Sequence, residues 1–144
     1  MFSAASNGQT EIVKILAHLT DNPNRADRFG ETPIHRAAWN EHTEIVKTLS
    51  SLTNNPNAYD QTGRTPIYWA AWKGNTEIVK ILAPLTDNPN AANRAGETPI
   101  HNAACNGHVE IIKILAPLTV NPNVPDNKGW TPIKNSKKSL FCKF

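Results

Sequence analysis

The fold of this chain is decided by residues 27–38, which read DRFGETPIHRAA. The triplet Thr-Pro-Ile inside this stretch starts at Thr32, and further copies start at Thr65, Thr98 and Thr131, so that each step is 33 residues. A glycine two residues before each triplet, and an Asn-Pro-Asn triplet ten residues before it, keep the same interval. A fixed period of this length predicts an array of stacked repeats.

Each repeat is predicted to contain two short antiparallel helices and a turn. The Thr32 hydroxyl can cap a helix N-terminus, and Pro33 follows where a missing N–H is tolerated. A small pair such as Ala37 and Ala38 lets a neighbouring helix approach closely. A second helix follows, as in residues 76–82, where apolar residues recur at helical spacing. We therefore expect an all-α solenoid of stacked helix-turn-helix units joined by hairpin-like loops.

The register of the repeats gives the expected domain boundaries. The array should occupy residues 1–133, and residues 134–144 should form a basic C-terminal tail with four lysines and no acid. Within the array we expect a partial first unit, three complete units and the start of a truncated last unit from residue 131, with the first four at residues 1–31, 32–64, 65–97 and 98–130.

The residues quoted above, followed by Thr-Glu-Ile-Val-Lys at 43–47, resemble the ankyrin repeat. The resemblance covers residues 1 to about 133 and implies L-shaped units, projecting hairpin loops and a concave surface used for protein binding. Two departures stand out. Tyr68 and Lys134 replace the histidine found at His35 and His101, and an Asn-Pro-Asn connection stands where the family usually has Gly-Ala-Asp.

Composition and charge narrow the classes of function. The chain has 15 basic and 12 acidic residues, and four of the basic ones lie in the tail, so the array itself is nearly neutral. With only two cysteines, no CxxC pair, no apparent signal segment and no long apolar run, we expect a cytoplasmic or nuclear protein without a membrane span.

The sequence gives no sign of an enzyme. His101, Cys105 and His108 have a spacing that could place a thiol and two imidazoles on one helix face, but the histidines are repeat positions and Gly107 should end the helix first. The glycines all fall on repeat positions, which leaves no phosphate-binding loop. We expect no catalytic activity, cofactor, metal or small-molecule substrate.

Partner binding is expected at positions that vary while the repeat motif stays fixed. Large aromatic residues and arginines concentrate there in the second and third units, and such residues dominate protein-binding hot spots. We expect Trp39 and Trp72 to be exposed, and Trp69 either to be exposed or to fill space between repeats. The candidate partner-binding residues are Arg28, Phe29, Arg36, Trp39, Arg64, Trp69, Trp72 and Lys73.

The leading interpretation is a noncatalytic scaffold that binds an unknown partner protein through its concave face and loop tips. Three alternatives stay open. Units 32–64 and 65–97 are identical at 19 of 33 positions, which would also suit an engineered or excised structural module with no evolved ligand. The basic tail could make a weak nucleic-acid contact, and the ends of the array could self-associate.

Overall fold

A computed structural model describes residues 1–136 of the chain. Within that range the secondary structure is helical, without a strand, and the expected all-α repeat fold is confirmed. Two 3₁₀ segments, Ala83–Leu85 and Ala116–Leu118, extend the second helices of two units. The α-helices are α1 (Phe2–Ser6), α2 (Thr10–His18), α3 (Pro33–Trp39), α4 (Thr43–Ser50), α5 (Pro66–Lys73), α6 (Thr76–Leu82), α7 (Pro99–Asn106), α8 (Val109–Leu115) and α9 (Pro132–Ser136).

The helices stack in two rows. The first helices of the units, α1, α3, α5, α7 and α9, contact one another in order, and the second helices α2, α4, α6 and α8 form a parallel row. The core lies between the rows and runs the length of the array. Its inner members are the alanine pairs together with fully buried branched residues, among them Ile34, Ile45, Leu49, Ile67, Ile78, Leu82, Ile111 and Leu115.

At the start of the first helix of each inner unit, the backbone N–H groups have side-chain acceptors. In α5, Pro66 has no N–H to satisfy, Ile67 N–H donates to the Asn57 side chain at 3.2 Å, and Tyr68 N–H donates to Thr65 Oγ1 at 3.2 Å. The expected threonine cap is therefore confirmed. The Asn-Pro-Asn connection supplies a second cap that the sequence did not reveal, from an asparagine ten residues before the isoleucine.

A histidine ties the start of α3 to the turn at residues 60–64, which leads into the third unit. Thr32 N–H donates to His35 Nδ1 at 3.0 Å, so the ring proton sits on Nε2, which donates to the carbonyl oxygen of Arg64 at 3.1 Å. His101 makes the same link to the carbonyl of Trp130. In the intervening unit Tyr68 replaces the histidine, and its hydroxyl donates to the Glu97 carboxylate at 3.0 Å. A side chain at this repeat position therefore holds the following turn in all three units, but histidine bonds to a backbone carbonyl and tyrosine to a carboxylate.

Glycines end the first helices of the third and fourth units, as expected for Gly107. Gly74 and Gly107 adopt left-handed conformations just after α5 and α7. The ring of His108 lies directly over Gly74, where an added Cβ would approach it to 2.5 Å. In the second unit Glu41 takes the left-handed position itself, at φ 64°. In the third unit Asn75, which stands at the repeat position of His108, caps α6 with its side chain.

The C-terminal helix crosses the expected tail boundary. Helix α9 runs to Ser136 and includes Lys134, the first residue assigned to the tail. Lys137, Lys138 and Lys143, on which the nucleic-acid alternative mainly depends, lie outside the described residues. Among residues 1–136, none of the helices has the length and apolar character needed to cross a bilayer.

We expect Asn57→Ala to lower the free energy of unfolding by about 1–3 kcal/mol, because it leaves the buried N–H of Ile67 without its acceptor. The matched control is Asn123→Ala, which removes the same hydrogen bond to Ile133 at an exposed position where water can replace it. Urea denaturation of both variants measures the difference. Equal losses at the two positions would contradict the role assigned to the buried cap.

Stability should also depend on the protonation of His35. Burial lowers the pKa of His35 to about 4, against an ordinary value of 6.5, despite the hydrogen bond to the Arg64 carbonyl. As the pH falls below 6.5 the unfolded chain binds a proton that the folded chain refuses until about pH 4. The free energy of unfolding should therefore drop across this window, by roughly 3 kcal/mol from this group.

The measurement compares urea denaturation at pH 7.5 and pH 4 for the wild type and for His35→Gln, whose side chain does not titrate. The variant will be less stable overall, but its pH dependence should be shallower. Because both proteins contain the same other histidines, the contribution of those residues to the pH dependence cancels. Parallel pH profiles would contradict the assignment.

Candidate functional site

The candidate site lies where the second and third units meet. The neighbouring first helices α3 and α5 supply one side, and the turns at residues 27–31 and 60–64 supply the other. Each turn is held by an aspartate: Asp60 Oδ1 accepts the backbone N–H groups of Thr62 and Arg64 at 2.7 and 2.9 Å. Because both turns and both helices are fixed by repeat contacts, the side chains between them stand on a rigid frame.

Two tryptophans form the floor of a pocket of about 280 Å³. The rings of Trp39 and Trp69 meet edge to face, with centroids 4.7 Å apart and planes at 88°. Trp39 remains 37% exposed, and Trp69 is half buried against the core. Edge-to-face contact of this kind orients both rings without hiding them from solvent. The residues lining the pocket are Glu31, His35, Arg36, Trp39, Arg64 and Trp69.

Three cations cover aromatic rings at this site. The Arg64 guanidinium lies 4.4 Å from the centroid of Trp69, the Lys73 amino group 4.4 Å from Trp39, and the Arg28 guanidinium 4.7 Å from Phe29. Such stacking is worth roughly 0.5–1 kcal/mol at exposed sites and fixes the position of the charge. The cations are thereby ordered along the surface.

The carboxylates of Asp60 and Glu31 are largely buried and form ion pairs with neighbouring arginines. Asp60, whose side chain is 2% exposed, accepts Arg64 Nε at 2.9 Å in addition to the turn amides. Burial alone would raise the pKa of Asp60, but hydrogen bonds from Thr62 and Arg64 outweigh it and hold the pKa below its ordinary value. Glu31, 16% exposed, forms an ion pair with Arg36, which is 43% exposed.

A second, smaller pocket continues from the first toward the turn tips. Its volume is about 180 Å³, and it shares Glu31, Arg36 and Arg64 with the larger pocket. Phe29, half exposed, stands at its outer end. We call the two connected pockets the Trp–Arg groove, lined by Phe29, Glu31, His35, Arg36, Trp39, Asp60, Gln61, Thr62, Arg64 and Trp69.

The structure brings most of the predicted residues together. Arg36, Trp39, Arg64 and Trp69 line the larger pocket and Phe29 the smaller, while Arg28 and Lys73 stack on groove aromatics. Trp72 lies outside both pockets. It is half buried, so the expectation that Trp72 would be exposed is wrong.

The ring that meets Trp39 belongs to Trp69, one helical turn before Trp72. Trp69 takes both of its expected roles at once, since it contacts the core and faces the pocket.

The sequence did not single out five groove residues: Glu31, His35, Asp60, Gln61 and Thr62. His35 and Asp60 sit in columns that the repeat motif explains, and the other three lie in variable turn columns but are neither aromatic residues nor arginines. A usable signal existed for one of them. A glutamate, Glu31 or Glu97, precedes the Thr-Pro pair in two repeats, whereas Arg64 precedes the pair that starts at Thr65. Side chains of opposite charge therefore occupy equivalent positions of adjacent turns.

Both histidines of the fourth unit form hydrogen bonds that hold the fold together. His101 Nε2 donates to the Trp130 carbonyl, and His108 Nε2 pairs with the Trp72 carbonyl at 3.3 Å in the preceding unit. The part of the chain that the structure describes contains no cluster of three histidine, cysteine or acidic side chains placed to hold a metal ion.

Comparison with known protein families gives one match. A family model described as ankyrin repeats, in three copies, matches residues 1–93 and 85–136, which together cover all of the described residues. A search of curated proteins found no match. The resemblance drawn from the repeat motif is thereby confirmed.

Proposed function

The chain belongs to the ankyrin repeat family, whose members are generally protein–protein interaction modules, and on that basis we propose that it is a noncatalytic scaffold for a partner protein. The partner is held against the concave face, in the Trp–Arg groove, and reaches the loop tips at Arg28 and Phe29. The observation that carries the proposal is the solvent-facing pair Trp39 and Trp69, fixed edge to face in the larger pocket.

Energetics favour this groove as the anchor. An indole that stays in contact with water can still gain burial energy when a partner covers it, at roughly 25 cal/mol per Å² of apolar surface. Trp39 and Trp69 are already ordered by each other and by Lys73 and Arg64, so little side-chain entropy remains to be lost on binding. Tryptophan and arginine are also the residue types most enriched in binding hot spots.

A catalytic reading of the same groove has less support. His35 is buried, its Nδ1 accepts from Thr32, and its Nε2 donates to the Arg64 carbonyl. A general base needs a free nitrogen within reach of substrate. Asp60 and Glu31 are paired with the arginines beside them, which favours positioning over proton transfer.

We expect Trp39→Ala to abolish retention of the partner in affinity capture from cell extract. Because Trp39 is partly exposed, the change should leave the fold intact and remove mainly the binding surface. The control is Leu85→Ala, which truncates an exposed apolar residue of a 3₁₀ segment outside both pockets. Proteins retained by the wild type and the control, but lost with Trp39→Ala, identify the partner by mass spectrometry.

The outcome decides between the proposal and its main alternative. If wild type, Trp39→Ala and Leu85→Ala retain the same proteins, the groove is not the binding surface. If none retains a specific protein although circular dichroism shows all three folded, the reading of a structural module without an evolved ligand gains support.

Self-association is a second candidate, supported by the first unit. Ile12 on α2 is 45% exposed, whereas its repeat equivalents Ile45, Ile78 and Ile111 are fully buried. Helices α4 and α6 have neighbours on both sides, while α2 contacts only α4 in the second row. A second copy of the chain could cover this face. Concentration-dependent light scattering that disappears in Ile12→Glu would support it, and an unchanged monomer mass at all concentrations would exclude it.

A further inference from the structure

The charges of the Trp–Arg groove are distributed by depth. The carboxylates lie against the backbone: Asp27 accepts the N–H groups of Phe29 and Glu31, and Asp60 those of Thr62 and Arg64. Glu31 is mostly covered and pairs with Arg36. The acids therefore support the turns and hold the cations.

The cations stand on the outer side of this arrangement. Arg28 and Lys73 are exposed, and the Arg36 and Arg64 side chains keep 43% and 30% of their surface in solvent. All four lie beside aromatic rings or between the two pockets. A ligand approaching the groove consequently meets N–H donors and positive charge before it meets any carboxylate.

The size of the groove favours side chains of a peptide. Pockets for drug-sized ligands are about 300–1,000 Å³. Here the larger pocket is about 280 Å³ and the smaller about 180 Å³. Each suits one or two side chains, and Arg36 and Arg64 line both.

Building on the proposed function, we propose that the groove binds an extended acidic peptide segment of the partner, with an Asp or Glu carboxylate between two apolar side chains. The carboxylate lies between Arg36 and Arg64, one apolar side chain enters the pocket at Trp39 and Trp69, and the other covers Phe29. Arginine suits this role because its planar fork of N–H donors matches a carboxylate. Arg64 is pre-positioned by Asp60 and Trp69, so it binds with little loss of side-chain freedom.

The test begins with selection of random seven-residue peptides, displayed on phage, against the full chain. Enriched peptides should contain Asp or Glu flanked by apolar residues. The strongest is then synthesised and titrated by calorimetry, together with a version in which Asn and Gln replace the acids. Loss of the carboxylate should weaken binding by about tenfold.

Two groove variants should act in opposite directions on the synthesised peptide. Arg36→Gln should weaken binding by about tenfold, because it removes a cation that faces the carboxylate. Glu31→Gln should strengthen it by about threefold, because it releases Arg36 from its internal partner. General damage to the fold would weaken both. Lys47→Gln, which removes an equal charge from the exposed face of α4, should change little.

The outcomes separate this inference from the proposed function. Enriched peptides without acids that still lose binding in Trp39→Ala overturn the acidic partner and leave the scaffold role standing. Peptides whose binding ignores Trp39→Ala overturn both. Failure to enrich any peptide also overturns the acidic-segment proposal. It is likewise overturned if a phosphoserine in place of the acid tightens binding tenfold, or if single-stranded DNA displaces the peptide from the groove.

Discussion

The hydrogen bond from His35 Nε2 to the carbonyl oxygen of Arg64 is the contact on which the candidate site depends. It joins the start of α3 to the turn at residues 60–64, which leads into the next unit, and fixes the position of that turn against the helix. Arg64 is at the same time a groove residue, since its guanidinium stacks on Trp69 and its Nε meets Asp60. Arg64 therefore accepts the His35 hydrogen bond at its backbone carbonyl and presents the charge of the groove on its side chain.

The next tie along the array shows what the histidine contributes. Tyr68 reaches the side chain of Glu97, which is also held by Asn93, and so binds the neighbouring turn through a carboxylate. Burial raises the pKa of Tyr68 to about 12, so the hydroxyl stays a donor at any physiological pH. His35, with a pKa of about 4, gains a proton on Nδ1 in acid and can then no longer accept the Thr32 N–H, while Nε2 still donates to the Arg64 carbonyl. Of these two residues, only His35 changes its hydrogen bonds in acid, and the change falls on the start of α3 beside the groove.

Much of the fold could be predicted from the sequence because the repeat period constrains it many times over. The threonine caps and the helix ends near Ala83 and Ala116 follow from local rules that act in each unit. The asparagine cap escaped prediction because it joins residues ten positions apart, such as Asn57 and Ile67, across an irregular connection. No period or propensity indicates that contact.

For the groove, the variable repeat positions of the sequence identified aromatic and arginine residues that line it, but not which aromatic rings contact each other. Trp69 and Trp72 are one helical turn apart, and a small rotation of α5 decides which ring meets Trp39. That rotation is set by the buried faces of Ile67, Ala70 and Ala71, which must point to the core. The placement of Trp69 is thus a consequence of core packing. Because the core must keep these residues buried, the packing that sets the repeat fold also sets the position of Trp69 beside Trp39.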